Sequence, residues 1–317
     1  MASSESAIIV SALGKSFGTT RAVDNLSFDV RQGEIFGLVG PDGAGKTTTM
    51  RMLAGVLAPD SGSASVAGHD IGTDFEAAKL DISYMPQRFG LYEDLTVDEN
   101  IRFYADIFLV RRNDREARAA ELLAAAGLSE FRKRLAGNLS GGMKQKLGLV
   151  CALIHRPRVI LLDEPTNGVD PVSRRDFWRI LYSLLAEGVA ILTSTSYLDE
   201  AERCHRVGLL YHGHLLFCDV PGQLKTKFPG GVIAVRAPEA ARVLDALERS
   251  PLITSALLVG DHVHLFVDDS ARRLPELRAA LDATKIPYDS IEPVAPSIED
   301  LFVSAVEHEA SVAGAQP

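Results

Sequence analysis

The sequence predicts an α/β fold on a central parallel sheet, followed by a small α+β module. Three observations carry this. Continuous apolar runs at 33–40 (GEIFGLVG), 159–163 (VILLD) and 189–195 (VAILTST) suit strands buried on both faces. Helix-like stretches at 46–57, 97–108, 114–126 and 171–187 lie between the runs, and such alternation argues for parallel strands joined by helical crossovers. Beyond residue 231 the pattern changes to a strand–helix–strand–strand–helix–strand order.

Bulk properties narrow the function. The 317 residues leave room for about two domains. A hydrophobic fraction of 46% with 24% charged residues fits a soluble globular protein with a sizeable core. The net charge of −9 argues against a nucleic-acid footprint. Arg132-Lys133-Arg134 and Arg174-Arg175 then read as solvated helix faces. No apolar run approaches the ~18 residues of a membrane span. The opening MASSESA has neither the basic nor the apolar part of a signal peptide. Cys151, Cys204 and Cys218 are scattered and odd in number, which suits reduced thiols in a cytosolic protein.

Taken in order, residues 1–6 are expected to be disordered. The strand at 33–40 leads into GPDGAGKT at 40–47, which meets G-x-x-x-x-G-K-[ST] at every fixed position between a strand and a helix. Gly40, Gly43 and Gly45 let backbone N–H groups converge on phosphate oxygens. Pro41, Asp42, Ala44 and Thr48 complete the loop, and the helix start adds its positive dipole end. Lys46 can reach the β- and γ-phosphates, and Thr47 can ligate Mg²⁺. Asp163 ends an apolar strand where a Mg²⁺-binding carboxylate belongs. Glu164, next to it, is placed to act as a general base on water. The stretch 208–218 reads as a hairpin turning at Gly213, and 221–231 as a Pro/Gly linker. Strands at 232–237, 255–259, 262–267 and 288–294 and helices at 239–249 and 274–283 give 232–307 the order of a ferredoxin-like module. Residues 308–317 are expected to be a disordered tail. The His212/His214 and His262/His264 pairs lack a third ligand and read as surface strand histidines. The Leu122–Leu128 region reads as core.

LSGGMKQ at 139–145 narrows the class. It resembles the signature of ABC-type ATPases, and the other landmarks of that family follow in order. Phe17 in GKSFG matches the aromatic that stacks on adenine, Gln87 in YMPQ the Q-loop glutamine, and Asp170 in NGVD the D-loop aspartate. The resemblance covers residues 7–220 and is closest to the ATPase subunits of ABC-2-type exporters. Residues 296–303 (PSIEDLFV) fit the accessory domain often appended there. The resemblance implies a P-loop NTPase cassette with a helical subdomain, using ATP and Mg²⁺, with Thr47, Asp163 and Gln87 managing metal and water. It further implies head-to-tail pairing with a second cassette, whose Ser140, Gly141 and Gly142 would meet the γ-phosphate. A separate integral membrane permease would touch the loop at 85–95, with Phe89 and Tyr92. The chain would then be cytoplasmic and peripheral on the inner face of the membrane, without a nucleic-acid partner. The rival reading is a soluble ABC-type ATPase acting on the ribosome or nucleic acid. Such proteins usually carry two cassettes or long coiled coils, whereas this sequence shows one cassette and no sustained heptads. A third reading is a regulatory cassette that binds ATP without turning it over.

One position departs from the family pattern. Where a histidine normally contacts the γ-phosphate, this sequence has Ser196. Ser196 and Asp199 form an S-x-x-D pattern, so Ser196 is expected to cap the next helix. A serine cannot carry the histidine's charge, and losing one oriented donor commonly slows catalysis on the order of 10²–10³-fold. Tight ATP binding and slow hydrolysis are therefore the expectation. Asp42 stands where asparagine is common in these exporters and adds negative charge near the phosphates.

Overall fold

A computed structural model describes residues 5–314. The chain divides into two compact units, the first ending at Cys218 and the second beginning at Asp219.

In the first unit the chain runs through β1 (Ser6–Phe17), β2 (Thr20–Arg31), β3 (Ile35–Val39), α1 (Lys46–Leu53), β4 (Ser61–Val66), β5 (His69–Asp70), α2 (Phe75–Ala78) and β6 (Ile82–Met85). Next come α3 (Val97–Ile107), α4 (Arg112–Ala126) and α5 (Gly141–Leu153). It closes with β7 (Val159–Asp163), α6 (Pro171–Leu185), β8 (Ala190–Thr195), α7 (Leu198–Ala201), β9 (Arg206–Tyr211) and β10 (His214–Asp219). The main sheet has the order β10-β9-β3-β8-β7-β6. Its pairs β3/β8, β3/β9, β7/β8 and β6/β7 are parallel. Every residue of β3, β7 and β8 is buried, which is why the sequence showed runs there rather than alternation. The turn between β9 and β10 uses His212 at φ 46° and Gly213 at φ 83°, left-handed values typical of a tight hairpin. A second sheet, β2-β1-β4-β5, is antiparallel. Phe28 of β2 stacks on Phe36 of β3 with centroids 5.1 Å apart, so the two sheets share one apolar core.

Helix α3 starts with a full capping box: Thr96 Oγ1 accepts from the Glu99 amide, and Glu99 accepts from the Thr96 amide. Leu122, Leu123 and Leu128 are buried. Arg132–Arg134 lies outside any helix, just past a 3₁₀ turn at Ser129–Phe131. Arg132 there bridges Asp98 and Glu116 instead of lying free on a solvated face.

The second unit comprises α8 (Pro221–Lys225), β11 (Gly231–Arg236), α9 (Ala240–Leu247), β12 (Ser255–Val259), β13 (His262–Val267), α10 (Ser270–Thr284), β14 (Ser290–Val294) and α11 (Ile298–Gly314). Its antiparallel sheet has the order β12-β13-β11-β14, the ferredoxin-like arrangement. Ile233, Val235, Val243, Leu265, Leu277 and Leu281 anchor its core.

Four expectations are corrected. Residue 6 belongs to β1 instead of a disordered end; residues 1–4 lie outside the described residues. The linker is partly helical, because Pro221 starts α8 with its fixed φ. The tail from 308 continues α11 as far as Gly314, and 315–317 lie outside the described residues. His264 is buried: its Nδ1 is 2.7 Å from Asp300 Oδ1 of α11. Asp300 also accepts from the Ser297 amide and hydroxyl, each at 2.8 Å.

Candidate functional site

The C-terminal ends of β3, β7 and β8 deliver three loops to one edge of the main sheet. From β3 comes the phosphate loop. Gly40 is forced by space, since a Cβ would sit 2.1 Å from the Leu210 carbonyl oxygen. Gly45, at φ 106°, would place its Cβ 2.3 Å from the Ala22 oxygen, and Gly43 takes φ 80°. Gly45 leaves α1 without a side-chain cap, so the first-turn amides of Lys46, Thr47 and Thr48 are available to an anion. The Lys46 ammonium is 3% exposed. It donates to the Gly40 oxygen (2.7 Å), the Pro41 oxygen (3.0 Å) and Ser196 Oγ (2.8 Å), and lies 3.0 Å from Glu164 Oε1.

Strand β7 supplies Asp163 and Glu164, both buried. Asp163 Oδ1 accepts from Thr47 Oγ1 at 3.0 Å and from Ser194 Oγ at 2.7 Å. Its Oδ2 faces the Tyr84 hydroxyl at 3.4 Å. Burial, reinforced by the charge of Asp163, pushes the Tyr84 phenol up to about 12, so it stays a donor. Glu164 takes φ 47°, a left-handed conformation that a non-glycine residue holds only when its surroundings fix it. The fixing is visible: its amide donates to Ser194 Oγ at 3.0 Å, and its Oε2 accepts from Asn167 Nδ2 at 3.3 Å.

From β8 come Ser194 and Ser196. Ser196 is not the helix cap the local pattern suggested. Thr195 Oγ1 accepts from the Tyr197 amide at 3.0 Å, and Tyr197 occupies the cap position of α7 without a side-chain bond. Ser196 Oγ instead lies 2.9 Å from Glu164 Oε1 and 3.3 Å from Asp42 Oδ1. With one proton, a hydroxyl that accepts from Lys46 donates to the nearer carboxylate, Glu164.

These groups open on a cleft of about 520 Å³ lined by Phe17, Ala22, residues 42–48, Gln87, Glu164 and Asn167. Phe17, 52% exposed, forms one wall, with the Lys15 ammonium 5.9 Å from its ring centroid. Gln87 is exposed on the same cleft. Ser140, Gly141, Gly142 and Asp170 are not among its lining residues and form a second cluster. Ser140 caps α5 by accepting from the Met143 amide at 3.3 Å. Asp170 caps α6, and the Ser173 and Val172 amides hold its carboxyl below the usual range. A Cβ on Gly142 would meet Ser173 Oγ at 2.4 Å and Asp170 Oδ2 at 3.3 Å, so Gly142 and Asp170 adjoin. Sequence reasoning missed Ser194, Tyr84 and Asn167. The hydroxyl-rich end of β8 was the one available signal.

A glycine-rich loop between a parallel strand and a helix, facing a strand-end carboxylate, defines a P-loop nucleotide-binding fold. Residues 23–167 match the family described as ABC transporter. The chain is 45% identical over 284 residues to the probable multidrug ABC transporter ATP-binding protein YbhF of Escherichia coli K12, covering 89% of this chain and 48% of that protein; it thus spans about half of YbhF's length. It is 34% identical over 312 residues to the daunorubicin/doxorubicin resistance ATP-binding protein DrrA of Streptomyces peucetius, covering 96% and 93%. A solved ATP-binding subunit of an ABC transporter aligns with TM-score 0.64 at 29% identity, over 70% of this chain and 92% of that one. A dimeric bacterial ABC transporter cassette aligns with TM-score 0.61 at 25% identity, over 67% and 98%. The chain belongs to the ATP-binding proteins of the ABC transporter family.

Proposed function

We propose that the chain hydrolyses ATP as the cytoplasmic, membrane-peripheral subunit of an exporter and drives a separate integral membrane permease. The observation that carries this is a cleft lined by Lys46, Thr47 and Glu164, with Asp163 bonded to Thr47 and Ser196 to Lys46 and Glu164 directly behind it. Phe17 stacks on the base, the amides of residues 43–48 hold the phosphates, and Lys46 neutralises their charge. Thr47 Oγ1 and Asp163 Oδ1, adjoining hard oxygen donors, fit Mg²⁺; bound there with Gln87 nearby, the ion would offset phosphate charge. Glu164 is the general base. Its buried carboxylate, oriented by Asn167 and Ser196, takes a proton from the attacking water. Ser196 supplies an uncharged hydrogen bond where the family has histidine, so turnover is slow.

Ser140, Gly141 and Gly142 form a helix N-terminus that is not part of the chain's own cleft. A second cassette, identical or different, offers this anion site to the γ-phosphate. The aromatic cluster after Gln87 supports the permease contact. Phe89 packs on Tyr104 (5.0 Å) and Tyr92 on Phe103 (4.6 Å), and Tyr92 is 48% exposed. No described helix is long and apolar enough to cross a membrane, which is consistent with a peripheral subunit. Residues 232–307 are read as an accessory domain. The test is affinity purification of the tagged full chain from detergent-solubilised cells. Stoichiometric recovery of an integral membrane protein supports the reading. Recovery with ribosomes or nucleic acid, and without a membrane protein, overturns it in favour of the soluble alternative.

A further inference from the structure

We propose that the second unit pairs edge to edge with a second copy of this chain through strand β12 (Ser255–Val259). In the sheet order β12-β13-β11-β14, β12 has a neighbour on one side only. A free edge invites another strand, and proteins normally blunt it with charged residues or proline. The far edge is blunted in this way, since β14 carries Pro293 and the exposed Glu292. Strand β12 is not. Residues 250–260 (SPLITSALLVG) have no charged side chain, in a chain that is 24% charged, and Leu258 is 42% exposed. The sheet offers one unblunted edge per copy, so antiparallel pairing closes on a two-fold axis as a dimer and goes no further.

The hairpin fixes which backbone groups are free. Strands β12 and β13 are joined by the turn Gly260-Asp261, with Gly260 at φ 61°. The residues flanking such a turn, Val259 and His262, form a hydrogen-bonded pair. Bonding alternates along the strand. Val259, Leu257 and Ser255 therefore aim their amides and carbonyls at β13, and Ala256 and Leu258 aim theirs outward. Among the described residues no strand pairs with them on that side. An axis at Leu257 lets the whole of β12 pair with its copy. Ala256 then lies opposite Leu258 of the second copy, and each such pair exchanges both N–H···O bonds. The side chains agree. Ala256 and Leu258 sit on the core face, across from Leu265 and Val263 of β13, so each exposed Leu258 is covered beside the small Ala256 of the other copy. Two copies of a chain with net charge −9 repel, and an uncharged strip is where they approach at least cost. One short strand buries well below the ~1,200 Å² of a standard stable interface, so the pairing is weak and reversible.

This pairing needs no nucleotide, which separates it from the ATP-dependent meeting of two cassettes; its failure leaves the reading as an exporter ATPase standing. The test is sedimentation velocity of the nucleotide-free full chain across a wide concentration range, beside cysteine cross-linking. The expected result is a reversible monomer–dimer equilibrium without ATP. Leu258→Lys, at an exposed position, puts charge on the strip and should weaken dimerisation at least tenfold, while Leu258→Ile keeps it and both variants bind ATP as the parent does. Leu257→Cys should form a disulfide-linked dimer under mild oxidation, beyond the level of the parent chain, because residues at the axis lie about 4.5 Å apart, within disulfide reach. Val259→Cys should not, because its two copies are set about 14 Å apart. If Leu258→Lys loses its cooperative thermal transition, the two cysteine variants decide. A chain that stays monomeric without ATP and gives no Leu257→Cys cross-link, a dimer that forms only with ATP, dimerisation unchanged in Leu258→Lys, or Val259→Cys cross-linking as fast as Leu257→Cys each overturns the proposal.

Discussion

Ser194→Ala tests whether the base and the metal-binding carboxylate are held as one piece. Ser194 is wholly buried. Its hydroxyl donates to Asp163 Oδ1 at 2.7 Å and accepts from the Glu164 amide at 3.0 Å. The alanine variant removes both bonds. The Glu164 amide keeps only the Ser194 backbone oxygen at 3.2 Å, so the strained Glu164 backbone is held by one partner instead of two. Asp163 Oδ1 keeps only Thr47 at 3.0 Å. One bond to a charged acceptor contributes about 1.5–3 kcal/mol, so the variant should be destabilised by about 2 kcal/mol in urea denaturation. Because Glu164 sits at an unfavourable φ of 47° that this contact helps hold, its carboxylate should lose orientation. Misplacing a catalytic group by about 1 Å can cost on the order of 10²-fold, so single-turnover hydrolysis should fall roughly ten- to a hundredfold. Stability within about 0.5 kcal/mol of the parent and a rate within about twofold would refute the reasoning.

Gly40→Ala should abolish nucleotide binding and destabilise the fold by about 1–3 kcal/mol, because its Cβ would lie 2.1 Å from a backbone oxygen of β9; titration with a fluorescent ATP analogue reads it. Ser196→His should raise single-turnover hydrolysis at least tenfold by restoring a charged donor, by analogy with the ~10²-fold worth of one oriented donor; no change would leave Ser196 as a spacer between Lys46 and Glu164. In the second unit, burial works to raise the Asp300 carboxyl, but hydrogen bonds from His264 and Ser297 outweigh it and the folded pKa lies below the usual 3.8. A depressed carboxylate contributes stability that is present above the unfolded value and lost as pH falls through the folded one. Asp300→Asn should therefore cost about 1–3 kcal/mol at neutral pH, the worth of hydrogen bonds to a charged, buried acceptor, with the gap to the parent closing below about pH 4 in acid-jump denaturation.

The phosphate loop and the strand-end carboxylates were legible because both are local. A loop that must approach phosphates needs glycine at fixed offsets, and strands buried on both faces leave unbroken apolar runs such as VILLD. The β2-β1-β4-β5 sheet left no such mark. Strand β1 is exposed and buried in irregular turn, with register shifts that break the period of two. Ser196 misled because S-x-x-D is a genuine capping pattern. What decides between cap and bridge is Thr195, which closes the turn first, and Lys46, which lies 150 positions upstream. His264 read as a surface residue for the same reason: Asp300 is 36 positions away. Pairings across such separations are set by the fold and have no periodic trace.

The proposed role of Glu164 is that of the base, with Lys46 and the loop amides, and not Glu164, holding the phosphates. Single-turnover ATP hydrolysis by Glu164→Gln, measured beside equilibrium ATP binding, tests it most directly. A positioned base is worth on the order of 10²–10⁴-fold, so the rate should fall by about that factor while ATP still binds. Hydrolysis within a few-fold of the parent would contradict the assignment of Glu164.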